Sequence, residues 1–415
     1  MVSAYGRSYG RLLRVRGSRT LLAAGVVARI GGAMWGVAVT VMVSARQGSF
    51  ALAGAMLATG IAVLAIAGPV TGRLIDRFGQ RRVVLPFLAV GGIAGLATVA
   101  LSLLHAPNWT MFVTFAVASF LPEAGPLTRA RWAHLFEAEP TVLHTAMSLQ
   151  QVSDEVAFAG GPVIAAVAST ALFPEGGLLV AEILFVGGMV TCVLSRSTEP
   201  PIVPREHRPA GLAIRQPGLL LIAGVLSATG VIFGANTVVT VAVAEQAGRG
   251  GFSGVILAAF SLGSMVSGLI FGTRVFRMTF TRRLVLAALA MFVLQAPVLI
   301  VTQLWALALV MVIAGLATAP MLITALSLAE RLIPRAFVTE GIAVAITGIY
   351  IGTSLGFLLG GWAIEALGPH NAYSVQVSAG LIAFLILLSR YQYLEHAEID
   401  ARDLHSNTPN GVILD

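Results

Sequence analysis

Runs of about 20 apolar residues recur from one end of this chain to the other, and each is long enough to cross a hydrocarbon core of roughly 30 Å. In lipid every backbone N–H and C=O must be bonded within the protein, so a spanning run is either a helix or a strand of a closed barrel. A barrel would show short segments alternating apolar and polar, and none occur. With 57% hydrophobic and only 11% charged residues, the chain reads as an all-α membrane protein.

The net charge of +7 invites a nucleic-acid reading, and the placement of the charges answers it. All 26 basic residues are Arg. Once helices are drawn, all but Arg29, Arg46 and Arg249 fall on one side of the membrane. This is the positive-inside bias, which predicts both termini in the cytoplasm of a plasma (inner) membrane protein. A nucleic-acid partner would need a basic face on a soluble module, which is absent. Arg7, Arg11, Arg14, Arg16 and Arg19 precede the first apolar run without a small-residue cleavage motif, so residues 1–19 are expected to be an uncleaved basic leader. The single cysteine, Cys192, lies in an apolar run and excludes an intramolecular disulfide or a cysteine-based metal site.

Twelve helices are expected, near 21–43, 51–70, 83–104, 109–127, 142–173, 177–195, 217–243, 252–273, 284–301, 304–328, 340–366 and 373–392. The least hydrophobic internal stretch, 197–216, carries Arg205, Arg208 and Arg215 and reads as a linker. The domain expectation is a six-helix bundle over 20–196, a second over 217–392, and a cytoplasmic tail over 393–415.

Between the second and third runs lies G-P-V-T-G-R-L-I-D-R-F-G-Q-R-R, with Gly72 and Gly79 expected to supply tight turns. Gly72, Leu74, Asp76, Arg77, Gly79, Arg81 and Arg82 resemble the helix-two to helix-three signature of the major facilitator superfamily. Gln80 departs from it, standing where that family usually carries a basic residue. The resemblance implies two pseudo-symmetric six-helix bundles working by alternating access. It also implies that Asp76 and the surrounding arginines form a charge network biasing the conformational equilibrium. Gly268, Gly272, Arg274, Arg277, Arg282 and Arg283, about 200 residues on, read as a degenerate repeat of the signature.

Charges inside the membrane are functional by default, because an ionisable group in hydrocarbon costs several kcal/mol. Arg29 lies about 9 residues, roughly 13 Å, into helix one. Glu123 stands in helix four between Pro122 and Pro126, and Asp154 and Glu155 lie in the interior of helix five. Adjacent helical residues diverge by about 100°, so one of the pair faces a cavity and the other a neighbouring helix. With Arg29 as the only deep cation, one acid is neutralised and another is left to carry a proton; the alternative is a fully paired buried network that only fixes helix packing. Asp154 is the favoured carrier, because it shares a face with the small-residue stripe Ala157–Gly161–Ala165. Glu182, Glu340 and Glu365 are placed near helix ends, and no histidine lies deep.

Gly160-Gly161-Pro162 partly resembles the helix-five motif of proton-coupled drug antiporters in that superfamily, and is read as a hinge. Helices eight (Ser264, Gly268, Gly272) and eleven (Gly348, Gly352, Gly356, Gly360) carry similar small stripes. The resemblance implies that the stripes of helices five, eight and eleven line the interface between the two halves. Pro122-Glu123-Ala124-Gly125-Pro126, Asp154-Glu155 and Thr339-Glu340-Gly341 resemble an actinobacterial group of facilitators regarded as exporters.

Candidate cavity residues are Trp35, Asn236, Thr237, Gln295, Thr318 and Thr324. A mainly apolar cavity with one or two acids suits amphipathic or cationic compounds better than sugars. No GxSxG, HExxH or P-loop pattern occurs, so neither an enzyme nor a direct use of ATP is indicated. The expected function is secondary active transport, most favourably proton-coupled export of amphipathic molecules. The alternatives are a facilitator for a polar metabolite and a sensor or scaffold on the same frame. The expected partners are a small-molecule substrate and the lipid bilayer, with the chain a monomer, no cofactor or metal, and the proton gradient as energy source.

Overall fold

The computed structural model describes residues 10–202, 216–273, 278–333 and 338–406, without side chains at 140, 272–273, 338–340 and 401–406. The expected tail beyond 406, most of the 197–216 linker, and Arg274 and Arg277 of the degenerate repeat lie outside the described residues or their side chains, as does the Glu340 side chain. Among the described residues there is no strand, and twelve spans are long and apolar enough to cross a membrane.

The first six spans are α1 (Ser18–Gln47), α2 (Phe50–Phe78), α3 (Gln80–Leu103), the pair α4 (Asn108–Ser119) and α5 (Ala124–Leu135), α6 (Pro140–Ala171) and α7 (Gly176–Leu194). The other six are α8 (Pro217–Gln246), α9 (Phe252–Thr273), α10 (Phe280–Gln295), the pair α11 (Leu304–Gly315) and α12 (Thr318–Leu332), α13 (Val338–Leu367) and α14 (Ser374–Ser389). A further helix, α15 (Tyr391–Ser406), occupies the start of the expected tail.

Two expected helices are interrupted, and proline explains both. Helix four stops at Ser119 and resumes at Ala124, with Glu123 extended at φ −72° and ψ 140°. Pro122 lacks an N–H and pushes Leu121 out of the helical region, while Pro126 sits in the first turn of α5, where no N–H is needed. Glu123 therefore stands at the N-cap of α5 rather than inside a helix. Helix ten is broken at Leu316–Ala317, because Pro320 in the first turn of α12 has no N–H to offer the carbonyl of residue 316. The signature between α2 and α3 is tighter than expected. α2 runs through Gly72 to Phe78, and the whole turn is made by Gly79 at φ 86°, a conformation glycine adopts without strain.

The chain forms two compact units, one of residues 1–206 with 237–258 and the other of residues 207–236 with 259–415. In the first, α1 packs on α7 backbone to backbone. A Cβ added at Gly188 would lie 2.5 Å from the Ala28 nitrogen, and one at Gly31 would lie 2.6 Å from the Ala181 oxygen. The core at one end holds Leu12, Leu21, Trp132, Phe136, Met189 and Val193. Leu12 is fully buried, and Ser18 Oγ donates to its carbonyl, so this part of the leader belongs to the bundle. In the second unit α13 packs on α8, with Gly348, Gly352, Gly356 and Gly360 against Ala223, Ser227, Val231 and Ala235.

These contacts correct the assignment of the small stripes. Gly161 meets Ala33 and Ile30 of α1, and Ala165 meets Gly177 of α7, all within the first unit. The helix-eleven stripe and the Ser264–Gly268 part of the helix-eight stripe are spent inside the second unit, where Gly315 and Ala319 receive the latter. Without a hydrophobic driving force between helices in lipid, close backbone approach is what holds a single bundle together.

Candidate functional site

The deep charges of the first unit converge on Arg29. Its Nε forms an ion pair with Asp154 of α6, its Nη1 donates to the Gly25 carbonyl at 2.9 Å, and its Nη2 donates to Thr128 Oγ1 of α5 at 2.5 Å. Gly25 leaves the guanidinium room, because a Cβ there would lie 2.8 Å from Nη1. Thr128 hydrogen bonds in turn to Gln150 Oε1 at 3.2 Å, and Gln150 Nε2 donates to the Gly125 carbonyl at 3.1 Å. Asp154 also meets Arg129 Nη2 at 3.4 Å. The Arg29 side chain is 8% exposed and that of Asp154 18%.

Asp154 thus faces α1, because it shares a face with Gly161, which rests on α1 as well. The expectation that this face turns away from its own bundle does not hold. Glu155 lies about 100° round the helix. It takes a 3.2 Å hydrogen bond from Gln151 of its own helix and belongs to none of the ion pairs among the described residues. The backbone of α6 continues unbroken through Gly160, Gly161 and Pro162.

A second polar cluster sits behind the Gly79 turn. Arg131 is fully buried and donates to Gln80 Oε1 (2.7 Å), the carbonyls of Cys192 (2.7 Å) and Ser195 (2.8 Å), and Thr198 Oγ1 (2.6 Å). Arg131 is thus a second buried cation of this unit, placed near the end of α5 rather than in the middle of a span. Gln80 accounts for the departure from the signature. Its amide oxygen accepts from Arg131, whereas a basic side chain would set two buried cations against each other. Glu199 Oε1 accepts the Arg81 N–H at 2.9 Å, satisfying a donor at the start of α3. Asp76, Arg77 and Arg82 lie beside this turn, with Asp76 and Arg77 exposed.

At the other end of the bundle Glu175 is fully buried and binds Arg46 at 2.7 Å and Ser102 at 2.8 Å. Burial pushes its carboxyl up, but the hydrogen bonds from Arg46 and Ser102 outweigh it and hold the group below the usual carboxylate range. Glu139 is likewise held low by its hydrogen bond from Arg11. Glu182, expected near a helix end, is 2% exposed inside α7, whereas Glu365 is exposed at the end of α13.

A sequence profile of the Major Facilitator Superfamily matches residues 21–302 and 253–407. The chain belongs to the major facilitator superfamily. Solved structures of similar fold include the nucleoside transporter NupG, with a TM-score of 0.73 and 11% identity over 91% of this chain and 98% of that one. A bacterial homologue of the iron transporter ferroportin in an inward-facing state gives 0.70 and 14% over 92% and 99%. The peptide transporter POT in complex with sulfate gives 0.70 and 14% over 91% and 94%. No curated protein matches the sequence. These structural likenesses show the fold, and membership of the superfamily makes the chain a multi-pass membrane transporter rather than an enzyme.

Within this facilitator the candidate cavity residues are divided between the two units, Trp35 and Thr237 in the first, Asn236 and Thr318 in the second. Trp35 is half-buried between Phe115 (5.8 Å) and Phe185 (5.9 Å). Asn236 and Thr318 are each 3% exposed, and Thr237 is intermediate. Thr128, Gln150 and Arg131 were not among the expected site residues, and Gln80 was read only as a departure from the signature. An Arg or Gln next to a helix end reads as a solvated residue until its neighbours are known.

Proposed function

We propose that this facilitator is a proton-coupled exporter of small amphipathic or cationic molecules across the plasma membrane, with both termini cytoplasmic. One observation carries the coupling: of two adjacent acids, Asp154 is committed to Arg29 and Arg129, while Glu155 has only a glutamine of its own helix. A buried ion pair is costly to break. Asp154 therefore serves as the counter-ion of Arg29, and Glu155 is the acid that loads and releases a proton. Asp76 and the arginines around Gly79 bias the conformational equilibrium at the turn.

A second reading, a facilitator for a polar metabolite, draws on the second unit. There Gln295, Thr318 and Thr324 are buried without hydrogen-bond partners among the described residues, as is Gln376 Oε1. Such groups favour a ligand with hydroxyls or amides.

The test is transport in proteoliposomes with an imposed pH gradient, using an ethidium-like dye and a panel of sugars. Dye flux driven by the gradient is expected. Glu155→Gln should abolish the driven flux and spare substrate exchange, which needs the rocking motion but no protonation cycle. Sugar flux indifferent to the gradient would sink the exporter reading, and an unchanged driven flux in Glu155→Gln would remove Glu155 from the mechanism.

A further inference from the structure

Glu182 lies at the seventh position of α7, about 9 Å along the helix from Gly176. Its residue is 2% exposed, and both carboxyl oxygens are sealed from solvent with no hydrogen-bond partner among the described residues. An ionised carboxylate so placed needs a cation, water or a proton, because leaving it bare costs far more than any one contact returns.

Among the described residues no cation is in place. On α1, which packs against α7, Arg29 is committed to Asp154 and Arg46 to Glu175. On α3 the charged residues are Arg81 and Arg82, some 13 or more residues from Gly95, or roughly 20 Å. On α6 the titratable groups are His144, Asp154 and Glu155, while α6 meets the start of α7 around Ala165 and Ser169. α4 carries no titratable group. On α7 itself Cys192 lies ten residues further along.

Water and metal ions fail on space. The carboxyl rests directly on Gly95 of α3, so closely that a methyl group at Gly95 would overlap all three carboxyl atoms. A neighbouring hydroxyl, Thr98 Oγ1, is already engaged with the Ala94 carbonyl and with Thr114. A metal cation would require several oxygen ligands and room between them and the carboxyl, whereas both carboxyl oxygens are sealed against their neighbours. The one remaining ligand small enough to fit is a proton.

We infer that Glu182 is a proton-binding site of the first bundle, separate from the Arg29–Asp154 pair and from Glu155. Glycine at position 95 is the device that makes the site: it lets α3 close over the carboxyl and exclude solvent. The inference stands whether or not Glu155 carries the coupling proton.

The test is infrared spectroscopy of the full-length protein in lipid nanodiscs at neutral pH. The parent should show the C=O stretch of a protonated carboxyl, shifted in D₂O, and Glu182→Gln should lose it while Glu155→Gln retains it. Thermal unfolding of Glu182→Gln should lie close to that of the parent, since one neutral side chain replaces another of the same shape. Should that variant fail to fold, Glu182→Leu replaces it, removing the carboxyl without leaving a buried polar group. Identical spectra for parent and variant would overturn the assignment.

Discussion

At the scale of single residues, Gln80 shows how one substitution in a signature is tied to a distant partner. Its side chain links the start of α3 to Arg131 and, by a longer 3.4 Å bond, to the Leu127 carbonyl. Arg131 in turn ties α5 to the end of α7 and the segment after it. Gln80→Lys would restore the charge usual at that position of the superfamily but place it against a buried guanidinium. We expect a loss of about 3 kcal/mol or more, read as a lowered unfolding temperature of the purified protein, because an uncompensated buried charge is among the few large single-residue effects. Thermal stability equal to the parent's would show that Arg131 can turn away without cost. Such a pairing is invisible in sequence, since residues 80 and 131 are joined only when two helices meet.

At the scale of elements, the glycine rows do the packing. Gly352 is fitted against the Ser227 backbone, whereas a Cβ at Gly224, on the same pair of elements, meets nothing within 4 Å. Gly352→Ala should therefore destabilise the protein by about 1–3 kcal/mol through overpacking. Gly224→Ala should be neutral or gain up to about 1 kcal/mol from helix propensity. Thermal melts of both variants in one detergent check the contrast, and equal melting temperatures would mean that α8 and α13 are not in backbone contact. α15 is a second element-scale feature. Glu398 accepts the N–H groups of Phe280 and Thr281 at 2.9 Å, capping α10, while Arg283 and Arg331 lie over the Phe280 ring at 3.8 and 4.1 Å. A carboxylate at a helix N-terminus satisfies its unpaired donors and is attracted to the positive end of its dipole. Polar composition after the last apolar run reads as a tail, and only this docking makes it a helix.

At the scale of the whole molecule, the arginine distribution governs orientation. Reporter fusions after Arg205 and at the C-terminus should give cytoplasmic signals, with the largest share of the remaining arginine-bearing connections on the same side. A periplasmic signal at one fusion alone would overturn the helix count, and one at both would reverse the proposed direction of every helix and, with it, the side from which Glu155 and Glu182 exchange protons.

What the sequence determined by itself follows from the solvent. Apolar runs of membrane length must be helices, because lipid offers the backbone no partners, and the Gly79 turn with its arginines was enough to point to the superfamily. The proline pairs were also visible, though their consequence, a broken helix four with Glu123 at a cap, was not drawn. Tertiary structure alone decided which face each helix turns inward. A rotation of 100° separates Asp154 from Glu155, and only the seat of Gly161 on Ala33 assigns Asp154 to Arg29. The same holds for Glu182, whose isolation depends on Gly95 in another helix. Helical periodicity specifies angles between residues on one helix, but not the zero of that angle, which is set by the neighbours against which the helix packs.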